Sequence, residues 1–146
     1  MPYEFKVIRR VEFSETDMAG IMHFSNYFRF METAEHGFFR SLGLSIFRTG
    51  DPPVGWPRVH AKCDFKIPLQ FEDEVEIHLL VAEKKSKALA YAFKFRKLNA
   101  SPPVLVARGA LTVVCVRLEA DGRMAACSIP RLVGDKIQTA PAELLA

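Results

Sequence analysis

One segment of this chain, from residue 26 to residue 42, combines helical periodicity with an unusually apolar character. Its apolar side chains recur at the three- and four-residue spacing of an α-helix, at Tyr27, Phe30, Met31, Ala34, Phe38 and Leu42. Phe28 and Phe39 widen this face beyond a single stripe. A helix this apolar is not stable on a surface, so the rest of the chain is expected to surround it.

The ends of this helix also carry sequence signals. Ser25 is predicted as its N-cap, and Gly43 stands where a left-handed residue would end it, which places the helix at about residues 25–42. The polar positions of the segment share one face of the predicted helix, at Arg29, Thr33, His36 and Arg40. That face is therefore expected to meet solvent.

The remaining chain shows the period-two alternation of β-strands. The predicted strands cover residues 5–13, 59–67, 75–81, 89–95 and 104–118. Gly109, inside the last strand, indicates a bend or close packing under the helix. One helix with hairpin-connected strands favours an α+β fold, in which a curved, mostly antiparallel five-stranded sheet wraps around the helix. We expect a single domain over residues 1–146.

The turn between the first strand and the helix carries the most specific pattern. It reads Glu12-Phe13-x-x-x-Asp17-x-Ala19-Gly20-Ile21-x-x-Phe24-x-Asn26-Tyr27. This run resembles the signature of hotdog-fold thioesterases of the 4-hydroxybenzoyl-CoA thioesterase type. The resemblance implies the hotdog fold and hydrolysis of an acyl-CoA thioester. It also implies that no cofactor is needed, since CoA is part of the substrate.

Asp17 is the candidate catalytic residue. The resemblance implies that it attacks the thioester carbonyl or activates the water that does, while the backbone N–H of Phe24 stabilises the oxyanion. The residues agree in outline, because a carboxylate is ionised at neutral pH and a helix start has free N–H groups. The alternative is a turn aspartate that accepts local hydrogen bonds. Gly20 suits a tight turn near the substrate, and Asn26 is expected to hold that turn or line the pocket.

His23 and Glu32 are further candidates near the helix start. Histidine is the commonest acid–base side chain, but related thioesterases carry it one position later, where this chain has Phe24. Glu32 is expected to line the pocket or to form an edge ion pair at helical spacing, with Arg29 or Arg40 as its partner.

Two loop segments complete the candidate site. Lys84, Lys85, Ser86 and Lys87 form a compact basic segment. A solvated hairpin tip is one interpretation, and contact with CoA phosphates is the other, which the resemblance implies. Trp56 lies in a proline-rich loop that is expected to cover the acyl pocket.

Composition excludes several other classes. The net charge is only +3 and the basic residues are scattered, which does not indicate a nucleic-acid partner. The three cysteines lack metal-ligand spacing, so we expect no metal and reduced thiols. We find no signal-peptide pattern and no apolar run of membrane-spanning length, so a cytoplasmic protein that does not contact membranes is expected. A sheet covered on one face leaves apolar area exposed, which predicts a homodimer or homotetramer.

Two alternatives to acyl-CoA hydrolysis stay open. The first is a thioesterase acting on acyl carrier protein, whose acidic surface would dock against the basic segment. The second is a non-catalytic protein that binds acyl-CoA as a sensor, against which the presence of Asp17 argues.

Overall fold

The computed structural model describes residues 2–146 of the chain. Its strands are β1 Glu4–Arg10, β2 Val54–Gly55, β3 Arg58–Phe65, β4 Glu74–Lys84, β5 Ala88–Lys97, β6 Val104–Val114, β7 Val116–Leu118 and β8 Met124–Ala126. Its α-helices are α1 Ser25–Ser41, α2 Arg131–Gly134 and α3 Ala142–Leu145, and a 3-10 turn covers Phe13–Glu15. The main sheet has the order β1-β4-β5-β6-β3 with every neighbouring pair antiparallel. The long helix α1 packs against this sheet, which is the hotdog arrangement predicted from the sequence.

Helix α1 is buried along the face that its periodicity predicted. Phe30, Met31, Ala34, Phe38 and Phe39 are each 0% exposed. At its C-terminal end Gly43 has a φ of +77°, so the predicted left-handed ending is confirmed.

The prediction of Ser25 as the N-cap is wrong. Ser25 is the first helical residue, and Phe24 takes the N-cap position with a helical backbone and no capping side chain. Instead, Nδ1 of His23 accepts the Ser25 N–H at 3.3 Å, so the histidine ring replaces the expected hydroxyl cap.

Two glycines set how closely the helix approaches the sheet. A Cβ atom on Gly109 of β6 would overlap the end of the Met31 side chain, and one on Gly37 of the helix would overlap the ring of Phe5. Close packing of Gly109 under the helix is therefore confirmed.

The predicted fifth strand is two separate elements. Strand β6 ends at Val114, and β7 pairs instead with β2 and β8 in a second, three-stranded sheet. The break is at Cys115, whose N–H bonds to the Lys87 carbonyl at 2.8 Å and whose carbonyl accepts the Cys127 N–H at 2.9 Å. The first strand likewise ends at Arg10 rather than at Phe13, because a 3-10 turn follows it.

The edge strand β3 exposes apolar side chains that alternate with polar ones along its sequence. Val59 is 63% exposed, Phe65 50% and Ile67, just beyond the strand, 42%. Strand β3 pairs with β6 on one side only. The apolar face predicted for this strand is therefore not covered within one chain. Over residues 2–146, no helix is long and apolar enough to cross a membrane.

Candidate active site

Asp17 lies in a tight turn that is held by backbone hydrogen bonds between its own residues. The Asp17 N–H bonds to the Ile21 carbonyl at 2.9 Å, and the Gly20 N–H bonds to the Asp17 carbonyl at 3.0 Å. Gly20 has a φ of +79°, a conformation that favours glycine. The carboxylate oxygen Oδ1 accepts the Ala19 N–H at 2.9 Å. The other oxygen, Oδ2, accepts no hydrogen bond from residues 2–146, so it is available to a ligand.

The start of helix α1 presents one backbone donor without an acceptor. The N–H groups of Asn26 and Tyr27 bond to the carbonyls of His23 and Phe24, at 3.0 and 3.3 Å. The Ser25 N–H bonds to the His23 ring. Within the described chain, the Phe24 N–H has no acceptor. Since the positive end of the helix dipole lies here, this N–H is suited to bind an oxygen that gains negative charge.

Asp17 borders two cavities that meet at its side chain. The first, of about 190 Å³, is mainly apolar and is lined by Asp17, Ile21, Met22, Phe24, Tyr27, Phe65, Lys66, Ile67 and Pro68. The second is an open groove of about 480 Å³, lined by Phe13, Ser14, Thr16, Asp17, Met18 and Gly20. Asp17 therefore shares the apolar cavity with Phe24 and the open groove with Gly20.

The other residues proposed near the helix start lie outside both cavities. His23 bonds through Nδ1 to the Ser25 hydroxyl at 2.8 Å, and its ring stacks on that of Phe24 at 4.7 Å between centroids. Asn26 is 8% exposed and lies behind the turn. Trp56 is buried against Phe39, with 5.6 Å between ring centroids, and does not cover the Asp17 cavity.

The basic segment forms the β4–β5 hairpin tip, and its lysines differ in their contacts. Nζ of Lys84 donates to the carbonyls of Gly134 and Ile137, at 2.6 and 2.9 Å, so this lysine fastens the C-terminal segment. Lys85 pairs with Glu83 at 3.4 Å. Ser86 and Lys87 are exposed. The hairpin does not line either cavity at Asp17 of its own chain.

Glu32 pairs with a residue that the sequence analysis did not consider. Its carboxylate lies 3.2 Å from the guanidinium of Arg58 on β3, which also binds Glu35 at 2.5 Å. Of the predicted partners on the same helix, Arg29 lies about one turn before Glu32 and Arg40 more than two turns after it. Arg58 instead reaches Glu32 from the sheet.

Glu35 is an ionisable residue that is buried in the core. It is 0% exposed, and its Oε2 has no hydrogen-bond partner among the described residues. Burial raises the pKa of the Glu35 carboxyl to about 7, although the nearby Arg58 guanidinium acts to lower it. The buried hydroxyl of Tyr91 also lacks a partner there. Burial therefore favours the protonated form of Glu35 at higher pH than is usual for a glutamate.

The walls of the apolar cavity are formed by residues that were not predicted from the sequence as site residues. Tyr27 and Phe65 meet edge to face, with 4.9 Å between their ring centroids. Burial raises the pKa of the Tyr27 phenol to about 12, which keeps this wall uncharged. Helical periodicity places Tyr27 on the core stripe, and the alternation over residues 59–67 places Phe65 and Ile67 on the apolar side of a strand. Pro68, directly after Ile67, is a sequence signal that this strand ends here.

Over residues 2–146, no group of three or more histidine, cysteine or acidic side chains is arranged to hold a metal ion.

Comparison with known proteins gives a consistent result. Residues 11–146 match the family model described as the thioesterase-like superfamily. A protein of Aquifex aeolicus (strain VF5), named provisionally as an esterase, is 37% identical over 64% of this chain and 71% of its own. A 1,4-dihydroxy-2-naphthoyl-CoA hydrolase of Synechococcus sp. (strain CC9902) is 35% identical over a match that covers 51% of this chain. The same match covers 54% of the length of that hydrolase. A solved gentisyl-coenzyme A thioesterase is 33% identical, covers 88% of this chain and 98% of its own, and superposes with a TM-score of 0.74.

The buried carboxyl of Glu35 predicts a specific pH dependence of stability. The pKa of Glu35 in the folded protein, about 7, lies above the ordinary value of 4.5. The stability that Glu35 contributes through this shift is therefore full below pH 4.5 and is lost as the pH rises through the folded pKa. Glu35→Gln stays neutral throughout. Relative to wild type, this variant should gain up to about 3 kcal/mol in the free energy of unfolding between acidic and alkaline conditions. Urea titrations across this range measure the difference.

Glu143→Gln is the control, because Glu143 is exposed and lies outside the Glu32–Arg58–Glu35 ion-pair cluster. Glu143→Gln should not reproduce the pH-dependent gain of Glu35→Gln. A pH-independent difference between Glu35→Gln and wild type would contradict the raised pKa.

Proposed function

We propose that this chain, which belongs to the thioesterase-like superfamily, hydrolyses acyl-CoA thioesters at a site between Asp17 and the backbone N–H of Phe24. One observation carries this proposal. Asp17 and Phe24 line the same apolar cavity at the start of a buried helix, and within residues 2–146 one has a carboxylate oxygen without a hydrogen bond and the other a backbone N–H without an acceptor. These are the two groups that thioester hydrolysis requires, a base or nucleophile and an oxyanion donor.

The reaction balances with water and Asp17 alone. As a general base, Asp17 takes a proton from water while the oxygen adds to the thioester carbon, and the carbonyl oxygen becomes an oxyanion bound by the Phe24 N–H. Collapse breaks the carbon–sulfur bond, and the proton passes to the departing CoA thiolate. As a nucleophile, Asp17 would first form a mixed anhydride, which water then hydrolyses. Both routes give free acid and CoA.

The size and lining of the cavity beside Asp17 favour a substrate with an aromatic acyl group. An apolar cavity of about 150 Å³ is enough to hold benzene, and this one measures about 190 Å³. Tyr27 and Phe65 present ring edges and faces that favour aromatic contacts. Two of the similar proteins are named for aromatic acyl-CoA substrates.

A second copy of this chain is proposed to cover β3. This edge strand has free backbone groups and exposes Val59 and Phe65, features that favour pairing with another strand. Phe65 and Ile67 also border the cavity at Asp17, so such a partner would extend its wall. The basic hairpin lies away from the cavity of its own chain. Any contact of Lys85 or Lys87 with bound CoA would therefore come from a partner subunit.

Loss of the Asp17 charge should abolish most turnover. Asp17→Asn keeps the shape of the side chain but removes its basicity, so kcat should fall by about 10²–10⁴-fold with the fold intact. Thiol release from a panel of aliphatic and aromatic acyl-CoAs measures this, and aromatic esters should be hydrolysed fastest.

Asp51→Asn, in an exposed loop, is the charge-matched control and should behave as wild type. Equal turnover by Asp17→Asn and wild type would refute the role of Asp17. A wild-type protein that binds the esters without hydrolysing them would instead favour a sensor.

The backbone donor can be removed by proline. Phe24 has a φ of −55°, which proline adopts, and its N–H bonds to nothing in the described chain, so Phe24→Pro deletes the donor at little structural cost. We expect kcat to fall by about 10²–10³-fold. Phe24→Ala keeps the N–H and should retain most of kcat. Equal losses in the two variants would show that the side chain matters and the N–H does not.

A charge on β3 should dissociate the oligomer. Val59→Glu places a carboxylate on the exposed apolar edge, so sedimentation velocity should show a smaller species than wild type. Ile8→Glu is the matched control, because Ile8 is 58% exposed on the opposite edge strand, β1. A wild-type monomer, or dissociation by Ile8→Glu but not by Val59→Glu, would contradict this assignment.

A further inference from the structure

Asn26, a nearly buried residue of helix α1, makes a side-chain hydrogen bond to the segment that precedes Asp17. Its side-chain amide, Nδ2, donates to the carbonyl oxygen of Glu15 at 2.8 Å. The same oxygen accepts the backbone N–H of His23, also at 2.8 Å. Asn26 is only 8% exposed, so water competes little for this bond. A side chain in the first helical turn therefore holds the chain that leads into Asp17.

The Glu15 carbonyl accepts hydrogen bonds from the Asn26 side chain and the His23 N–H, and the two bonds affect different parts of the site. Glu15 stands two residues before Asp17, and the next residue, Thr16, pairs with Met22 in an isolated β-bridge that closes the turn. Fixing the Glu15 carbonyl therefore fixes the base of the turn that carries the Asp17 carboxylate. Because this carbonyl also accepts the His23 N–H, the next N–H, that of Phe24, is the first at the helix start without an acceptor within residues 2–146.

We propose that Asn26 is a positioning residue for the hydrolysis, holding Asp17 at a set distance from the Phe24 N–H. This inference rests on the proposed function. Asn26 lies outside both cavities at Asp17, so it acts through the Glu15 carbonyl and not on the substrate. Catalysis by a base and an oxyanion donor depends on their relative placement, and a displacement of about 1 Å can cost on the order of 10²-fold in rate.

Asn26→Asp is the test variant. It keeps the shape of the side chain but replaces the donor with an acceptor, so the bond to the Glu15 carbonyl is lost. The helix should survive, because an acidic residue is favourable in a first helical turn. We expect kcat for an acyl-CoA to fall on the order of 10²-fold with KM nearly unchanged. Asn26→Ala, which removes the donor without adding charge, should show the same division between kcat and KM.

Asn99→Ala provides a matched control. Asn99 also fastens a turn, donating to Asp73 at 2.9 Å and accepting the Glu74 N–H at 2.8 Å, but it lies away from the Asp17 cavities. It should lower the free energy of unfolding about as much as Asn26→Ala does, while leaving kcat unchanged. If kcat fell in both Asn26→Ala and Asn99→Ala, in proportion to the loss in the free energy of unfolding, the proposal would be overturned.

Amide hydrogen exchange gives a readout that needs no substrate. In Asn26→Asp the amides of His23 and Phe24 should exchange at more similar rates than in wild type, because the His23 N–H loses the fixed acceptor that protects it. Unchanged protection of the His23 amide would overturn the proposal even if wild type hydrolyses acyl-CoA. Turnover by wild type and Asp17→Asn tests the proposed function separately, so the two can fail independently.

Discussion

The structure depends on the burial of a helix that is apolar on most of its circumference. A single sheet covers such a helix only by curving around it, and close contact requires small residues where the backbones approach. Gly109 on β6 and Gly37 on α1 provide that room for Met31 and Phe5. Phe24, at the N-terminal end of α1, lines the cavity beside Asp17, and its N–H has no acceptor within the described chain. The main packing constraint of the fold thus also creates the proposed oxyanion site.

The sequence predicted the parts of this arrangement that local patterns control. The helix, its ending at Gly43, the antiparallel sheet and the turn at Asp17 all follow from periodicity, glycine conformation and the motif around Asp17. The partner of Glu32 was not predictable in this way, because Arg58 lies on a strand far along the chain and only the fold brings it near. The division of the last strand at Cys115 has the same cause, since the Lys87 and Cys127 backbones supply its competing hydrogen bonds.

Helix α1 positions two carboxylates in opposite environments. Asp17 precedes its positive end, half-buried and with one oxygen free, which suits an ionised base. Glu35 lies ten residues into the helix, fully buried, where the charged form is costly even beside Arg58. Helical periodicity alone marks Glu35 as an interruption of the apolar face but not as a group that titrates near neutrality. That property arises from burial, which depends on the whole fold.

Strand β3 contributes both to the exposed apolar edge of the sheet and to the wall of the cavity beside Asp17. Its apolar side chains follow the alternation of a buried strand, yet Val59 and Phe65 are exposed in a single chain. An exposed apolar edge promotes aggregation unless another surface covers it. Phe65 also forms a wall of the cavity beside Asp17, against Tyr27. A copy of the chain paired along β3 would therefore bury the edge and narrow the cavity at once, which would make the shape of the acyl site a property of the oligomer.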